Sequence, residues 1–522
     1  MKYNRYNNQY SFANVPNVQV QRSKFDRSHN VKTTFNSGNL IPIYIDEVLP
    51  GDTFDVDVAH VTRTATPIVP VMDNLHQDFH FFFVPYRLLY ENWERLCGSR
   101  DNPDDSIDYL VPQISSGDGW ANSSLADYFG LPTSVAGLSV SALPFRAYNL
   151  IYNEWYRDEN LQDSVTVDVS DGPDITDYQL LKRNKRRDYF ISSLPWPQKG
   201  EAVDLPLGIS APIVGIGDVA FSANSVGVAD RGLYSLSGLN GPYVAGANPG
   251  ATEKMYWPSN NLNLIADLSD ATAATINSLR EAFQVQRMLE RDARGGTRYI
   301  EILRSHFGVT APDFRLQRPE YLGGFTTHIG MTQVPQTSST DATTPQGNLS
   351  AFGQAMNMRK GFKKSFVEHG LIIGLTSVRA DLTYQQGINR MWSRKTRYDF
   401  YWPSLAHLGE QEVLNKEIFA QGTTVDDEVF GYQERYSEYR YKPNLICGQF
   451  RSNFAQSLDI WHYAQEFDAL PALNADFIKE QPPIARTIAV QDYPEFIMDI
   501  SFRCDSYRPM PVYSQPGLID HF

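Results

Sequence analysis

The chain of 522 residues is 42% hydrophobic and 13% aromatic, so it is long and apolar enough to bury a sizeable core. Its formal net charge is −14, so the chain could bind a polyanion only through a local basic surface or with the help of a basic partner. The sequence has no CxxC pair, signal-peptide core or membrane-length apolar run, so we expect a soluble, unsecreted protein, folded in a cytoplasm, with reduced thiols at Cys97, Cys447 and Cys504.

Residues 1–30 are rich in Asn, Gln, Tyr and Arg and have no apolar period, which predicts a flexible N-terminal arm. Arms of this kind also clasp neighbouring subunits in assemblies. The cations Arg22, Lys24 and Arg27 are candidates for contacts with phosphate.

Alternating apolar residues near both ends of the chain predict half-buried antiparallel strands. The isoleucines of residues 41–45 alternate before a turn at Pro50-Gly51, and residues 54–58 alternate again after it. The same pattern returns over residues 496–504. We therefore expect the first and last strands to lie together in one sheet, as they do in a jelly roll.

The segment Met72–Gly98 predicts the centre of the fold. Its run Phe79–Val84 is almost wholly apolar, and successive side chains of a strand point to opposite faces. The run therefore predicts a strand that is covered on both faces. Pro85 ends this strand, and apolar residues at helical spacing over Leu89–Leu96 predict a short amphipathic helix.

The middle of the chain is long and irregular. Residues 99–145 are rich in turn residues, and Leu150–Leu161 predicts a short helix. Residues 201–270 are dominated by Gly, Ala, Ser and Asn and carry few charges. This composition predicts an inserted surface subdomain or long loop.

Two helices are predicted after this segment. The first has apolar residues along one face over 276–289, is capped by Asp270 or Thr272, and ends at Gly295-Gly296. The second covers Tyr299–Phe307.

The last third of the chain begins with a polar stretch. Residues 331–352 are rich in Thr, Ser, Gln and Pro, which predicts a polar loop. Alternation then returns over residues 371–376 and predicts further strands.

Two stretches combine cations with aromatic residues, a pattern that suits stacking on unpaired bases while cations follow phosphates. The denser one, KRNKRR, is a candidate patch facing single-stranded DNA, made of Lys182, Arg183, Lys185, Arg186 and Arg187. In the other, WSRKTRYDFYWP at residues 392–403, we expect the aromatic residues to be strand core. Its cations would then form ion pairs with acids of neighbouring subunits. For the first stretch too, a purely structural role of this kind remains an alternative to DNA binding.

We find no arrangement of residues typical of an enzyme or of a cofactor site. His76 and His80 are four residues apart on a strand-like segment, where they do not converge on a metal. Residues 215–220 match GxGxxA formally, but no amphipathic helix follows to receive a pyrophosphate. The acids of residues 426–428 predict a solvated loop rather than a catalytic pair. The sequence thus predicts neither catalysis, nor a cofactor, nor a metal site.

Several long segments resemble, in the same order, the major capsid protein of the Microviridae, small icosahedral bacterial viruses with circular single-stranded DNA. The likeness is nearest to the gokushovirus-like branch and is carried by RSKFDRSHNVKTTFNSGNLIPIYIDEVLPGDTF, MDNLHQDFHFFFVPYRLLYENWERLCG, KRNKRRDYFISSLPWPQKG, INSLREAFQVQRMLERDARGGTRYIEILRSHFGV, DFRLQRPEYLGG, YQQGINRMWSRKTRYDFYWPSLAHLGEQEVLNKEIFAQG, VFGYQERYSEYRYKPNLICGQFRS and RPMPVYSQPGLIDHF.

The resemblance implies an all-β fold with helical insertions, an eight-stranded antiparallel jelly roll with long inserted loops. Residues 31–522 would form this single capsid domain. The insertion at residues 201–270 would be a protrusion at the threefold axes and a candidate contact with a host receptor. It also matches the family least.

The resemblance also implies the partners and the location of the chain. Copies would form pentamers and then a T=1 icosahedral shell of roughly sixty subunits around single-stranded DNA. Because the chain is acidic, a small basic packaging protein should line the interior. A spike or pilot protein and a bacterial receptor complete the partners that the family allows. The chain would be part of the virion and assemble in the cytoplasm of the bacterial host.

Two other interpretations remain open. A β-sandwich module that binds cell surfaces or glycans would explain the strands and the aromatic residues, but not the amount of loop. A polysaccharide-active enzyme would require a cleft with convergent carboxylates.

Overall fold

The structure is a computed structural model that describes residues 21–201, 203, 213–215, 222–223, 255–256, 264–266, 276–340 and 345–513. Two compact units divide the chain: Met1–Pro197 with Asp292–Phe522, and Gln198–Arg291. Asp270, Thr272, Gly217 and residues 1–20 of the predicted arm lie outside the described residues. The predicted domain boundaries, with an insertion at 201–270, stay a prediction.

The fold is mostly β, with some helices between the strands. The strands are β1 (Ser23–Asp26), β2 (His29–Phe35), β3 (Ile41–Val48), β4 (Thr53–Thr64), β5 (Leu75–Pro85), β6 (Gln113–Ser115), β7 (Ser139–Ser141), β8 (Ile213–Gly215), β9 (Ser222–Ala223), β10 (Met255–Tyr256), β11 (Leu264–Ala266), β12 (Glu320–Pro335), β13 (Leu349–Ser365), β14 (Gly370–Ala380), β15 (Glu410–Leu414), β16 (Val429–Glu434) and β17 (Phe496–Arg508). The helices are α1 (Trp93–Leu96), α2 (Leu125–Tyr128), α3 (Leu143–Ile151), α4 (Ile276–Gly295), α5 (Tyr299–Phe307), α6 (Asn415–Ile418) and α7 (Ala475–Ile478).

Nine of these strands form one large antiparallel sheet. Its order is β1-β17-β4-β13-β12-β5-β14-β3, and β2 also pairs with β17. The long β17 pairs with β4 from Phe496 opposite Thr64 to Tyr507 opposite Thr53. The prediction that the first and last strands share a sheet is therefore confirmed.

The sheet curls, so that strands far apart in its order come into contact. The Tyr44 ring on β3 lies 5.0 Å from the Phe502 ring on β17, although these strands lie near opposite ends of the order. Beside them, the Arg27 guanidinium donates to the Asp46 carboxylate, at 2.6 Å. The Tyr44 hydroxyl donates to the same carboxylate at 3.1 Å. A curled antiparallel sheet of this kind is consistent with a jelly-roll-like β fold.

Strand β5 is buried on both faces. Phe79, Phe81 and Phe83 point into the inner core, which receives side chains from all the long strands of the sheet. Phe82 and Val84 point the other way, into a second core made with α3 and the segments around it. The predicted doubly covered strand is confirmed. Strand β14, which pairs with β5 along its length, is likewise buried at every residue.

The helical layer over β5 and β14 begins earlier than predicted. Helix α3 starts at Leu143 and continues after Ile151 as a π-helical turn, Tyr152–Tyr156, so the predicted helix at 150–161 was wrong in both bounds. Its proline lies in the first turn, where a missing N–H costs nothing. Arg157 then adopts an extended backbone and ends the helix.

Two other predicted boundaries were also wrong. Residues 23–30 of the predicted arm are ordered, because β1 and the start of β2 pair with β17. Lys24 there pairs with Asp505, at 2.9 Å. The predicted loop at 331–352 is shorter, since β12 runs to Pro335 and β13 starts at Leu349, directly opposite.

The two long helices were predicted more closely. Helix α5 covers the predicted Tyr299–Phe307 and ends at Gly308, which has a left-handed backbone with φ 68°. Helix α4 ends at the predicted Gly295. On its predicted apolar face, Ile276 and Phe283 are exposed, whereas Leu279 and Leu289 are half-buried.

We predict that Asp46→Asn weakens the fold by about 1–3 kcal/mol, because it leaves the Arg27 guanidinium without its carboxylate at the closure of the sheet. Asp499→Asn is the matched control, since its ion pair with Lys32 is exposed and the loss should stay below about 0.5 kcal/mol. Urea unfolding measures both, and equal losses would contradict the role given to Asp46.

We also predict that His60 makes the fold acid-sensitive. Its ring is buried 4.6 Å from the Phe79 ring, and burial lowers its pKa to about 4. The unfolded chain therefore takes up the proton first, and stability is lost as pH falls from about 6.5 towards 4. The free energy of unfolding falls between pH 7 and pH 5 in the original chain. In His60→Phe this fall should be smaller by about 1.5–2 kcal/mol. The same drop in both proteins would disprove this.

Candidate functional site

The segment KRNKRR at residues 182–187 runs between two other parts of the chain. The N–H of Arg183 donates to Gly38 O at 2.8 Å, and the N–H of Lys185 donates to Ile478 O at 2.7 Å. The N–H of Glu480 donates to Arg183 O at 2.9 Å. Backbone pairing on both sides fixes the direction of each side chain, so the cations of this segment are divided between interior and surface.

Arg183 is used inside the fold. Its guanidinium donates to the Asp78 carboxylate on β5, at 2.5 Å, and Arg379 on β14 donates to the same oxygen at 2.9 Å. Burial favours a neutral Asp78, but Arg183, the Thr326 hydroxyl and Arg379 together hold the pKa of Asp78 below its usual value. Arg183 thus compensates a buried carboxylate.

Lys185 is also buried. Its ammonium donates to Gln465 Oε1 at 2.9 Å and lies 4.4 Å from the centre of the Phe477 ring. Burial lowers the pKa of Lys185 to about 8 and raises the pKa of the neighbouring Glu480 to about 7. Neither group is available to a ligand in solution.

Only part of the predicted patch is therefore open. Lys182 is half-buried, and burial lowers its pKa, with Glu495 opposing the shift. Arg186 and Arg187 are exposed, and no ion pair to either is found among the described residues. Contact of any of the five residues with DNA stays a prediction.

Arg186 and Arg187 border a surface cleft of about 170 Å³. Tyr441 and Lys442 line the same cleft, together with the acids Asp188 and Asp381. Lys442 is more than 250 residues away in sequence and carries no motif, so sequence reasoning missed it. The cleft brings three exposed cations next to an aromatic ring, a combination that suits a phosphate backbone and a base.

The second basic and aromatic stretch does not form strand core, and that prediction was wrong. Its residues form 3₁₀ turns at Arg390–Ser393 and Arg397–Asp399, and the aromatic rings lie on the surface. Pro403 and the capped turn prevent strand pairing here. The exposed aromatic residues are Trp392, Tyr398, Phe400, Tyr401 and Trp402.

The acids of residues 426–428 were predicted to be solvated, but Asp426 is buried. Its carboxylate accepts the N–H groups of Gln421 and Gly422, at 2.9 and 2.7 Å, and so fixes the turn before β16. Asp427 is exposed and pairs with Lys416.

Two other acids do meet in one place. Glu417 and Glu438 line an aromatic cavity of about 90 Å³. Arg390 binds the first at 2.7 Å, and Arg394 binds the second at 3.3 Å. Both carboxylates are thus held as structural ion pairs, not as an acid and base pair.

The histidines pair locally. His80 shares a hydrogen bond with the Tyr156 hydroxyl, at 2.7 Å, and burial lowers its pKa to about 4. His76 lies 3.3 Å from Asp381. Within the described ranges, no group of three or more potential ligands could hold a metal ion. No helix in the same ranges is long and apolar enough to cross a membrane.

The comparisons with known proteins agree along nearly the whole chain. A family model described as capsid protein (F protein) matches residues 13–518. The chain is 51% identical to capsid protein VP1 of Bdellovibrio phage phiMH2K, with 100% of both chains covered. It is 43% identical to capsid protein VP1 of Chlamydia phage 1, with 97% of both covered, and 39% identical to that of Spiroplasma virus 4, with 98% of this chain and 97% of the relative covered. The chain therefore belongs to the Microviridae capsid protein family, as a structural component of the virion and not an enzyme.

Proposed function

We propose that the chain is the major capsid subunit of a T=1 shell, in which roughly sixty copies enclose a circular single-stranded DNA genome. The match to the capsid family over residues 13–518 carries this proposal. The curled sheet supports this proposal. Its strands bury a core among themselves, so the long peripheral loops remain available for contacts with neighbouring copies. Pentamers would be the first assembly product.

The sheet itself would be the eight-stranded jelly roll of viral capsids, extended at one edge by a short strand. Three features support this assignment: the antiparallel pairing, the curl, and the return of β17 beside β4. The segment at residues 201–270 would form a protrusion at the threefold axes that contacts a bacterial receptor. Its place within the separate unit Gln198–Arg291 is compatible with that role.

The exposed cations of the basic segment would contact the genome. Arg186 and Arg187 with Lys442 offer three exposed cations in one cleft, whereas Arg183 and Lys185 are occupied inside the fold. Three cations per subunit do not neutralise a genome around a chain of net charge −14. A small basic packaging protein would supply the remaining charge, and a spike or pilot protein would be a further partner.

We predict that the purified full chain forms pentamers and closed shells in the megadalton range. Sedimentation velocity and electron micrographs of the same sample measure this. A chain that remains a monomer or small oligomer at all concentrations would contradict the proposal and favour the cell-surface or glycan-binding module.

We also predict that R186Q/R187Q/K442Q lowers the DNA content of particles while shells still form, because each lost cation removes a phosphate contact. The absorbance ratio at 260 and 280 nm of purified particles reports this content. The matched control is R183Q/K185Q, which should instead lower the unfolding free energy by about 3–5 kcal/mol, since Asp78 loses a buried partner. Unchanged DNA content in the triple variant would refute the cleft as a genome contact.

A further inference from the structure

The stretch at residues 391–402, together with Tyr439, forms an exposed surface that we call the aromatic-basic surface. Trp392 is 75% exposed and Tyr398 62%, so both side chains are largely open to solvent. Exposed apolar patches of this kind mark interaction sites. The other exposed members are Met391, Phe400, Tyr401 and Trp402.

This surface is held in one shape before anything binds to it. The Trp402 indole N–H donates to Arg397 O at 3.0 Å, and the Arg397 guanidinium lies 5.2 Å from the Trp402 ring. The Arg394 guanidinium lies 4.3 Å from the Tyr439 ring. A surface fixed in this way loses little conformational entropy on binding.

Its charge is positive. The Glu438 carboxylate neutralises Arg394, but Lys395 and Arg397 are exposed, and neither has an ion pair among the described residues. Asp399 is also exposed in this stretch. Counting Asp399 and Glu438 (two negative charges) against Arg394, Lys395 and Arg397 (three positive charges) leaves the surface with a net charge of +1, on a chain whose net charge is −14.

Two loops on another part of the same unit form the opposite kind of surface, which we call the acidic face. They are residues 101–110 and 168–177. The N–H of Glu91 donates to Val169 O at 3.0 Å, which holds the second loop against the segment that precedes the first. Asp104 and Asp108 are exposed and have no ion pair in the described part of the chain. Leu110 is 83% exposed and Ile175 92%.

The two surfaces rest on different cores. The acidic face follows α1, whose Trp93 and Leu96 pack against the core with α3. The aromatic-basic surface adjoins Tyr436 and Tyr439, near β15 and β16. They are therefore separate patches that two copies could join head to tail.

We propose that the aromatic-basic surface of one copy docks onto the acidic face of the next copy in the shell. This rests on the proposed function and names the surfaces that build the shell. Each surface offers exposed apolar side chains, and the two surfaces differ in the sign of their net charge, which favours one specific pairing over others. Aromatic and arginine residues are also the usual energetic centres of such interfaces.

Single-stranded DNA is the less favoured occupant. Arg390 and Arg394 are already neutralised by carboxylates of the same chain, at 2.7 and 3.3 Å. The side chain of Met391, an exposed member of this surface, offers no face for a base to stack on.

Charge reversal and its rescue test the docking. K395E/R397E and, separately, D104K/D108K should each weaken association of the purified full chain about tenfold or more, measured by sedimentation velocity. The variant that combines all four substitutions restores opposite charges and should associate within about twofold of the original chain. Arg359→Glu, an exposed reversal on β13 outside both surfaces, is the control and should associate normally.

The outcomes separate the alternatives. Suppose that the original chain assembles. The docking is then overturned if either double variant assembles equally well, or if the combined variant does not recover association. In both cases the proposed function stands. Intact shells that lose DNA in K395E/R397E would also overturn it and assign this surface to nucleic acid. If the original chain never assembles, the proposed function fails first, and the docking fails with it.

Discussion

The fold depends on one strand that has no exposed face. In β5, Phe79, Phe81 and Phe83 pack into the core of the curled sheet, while Phe82 and Val84 pack under the helical layer. Each of these side chains contributes about 1.5–3 kcal/mol when buried. Because the two cores share this strand, neither the sheet nor the helical layer can be weakened alone. The cooperative unit is therefore large, although the segments attached to it are irregular.

A polar contact on the same strand ties these segments to the sheet. Asp78, the residue before Phe79 on β5, is buried against the guanidinium groups of Arg183 and Arg379. Removing one partner of such a cluster leaves a buried charge, which costs far more than the pair contributes when intact. The basic segment is thus mainly a structural clamp, and this use explains why only Arg186 and Arg187 of its five cations are exposed.

The sequence predicted those features that depend on local pattern. The adjacent phenylalanines of β5, the alternation of β17 and the glycine that ends α4 each carry their own physical signal, and each prediction was confirmed. The division of the basic segment could not be predicted, because Arg183 meets Asp78 105 residues away and Lys185 meets Gln465 280 residues away. The prediction that the aromatic residues of 392–402 form strand core was wrong for a related reason. Its composition suits a strand, but a capped turn holds its rings on the surface.

The central claim is that the doubly covered strands β5 and β14 carry the fold and leave the peripheral loops for contacts between copies. Hydrogen–deuterium exchange on the dispersed chain and on assembled particles tests it most directly. The account predicts that amides of β5 and β14 exchange equally slowly in both, while residues 101–110 and 391–402 become protected on assembly. Protection gained by the strands, with those loops unchanged, would contradict it.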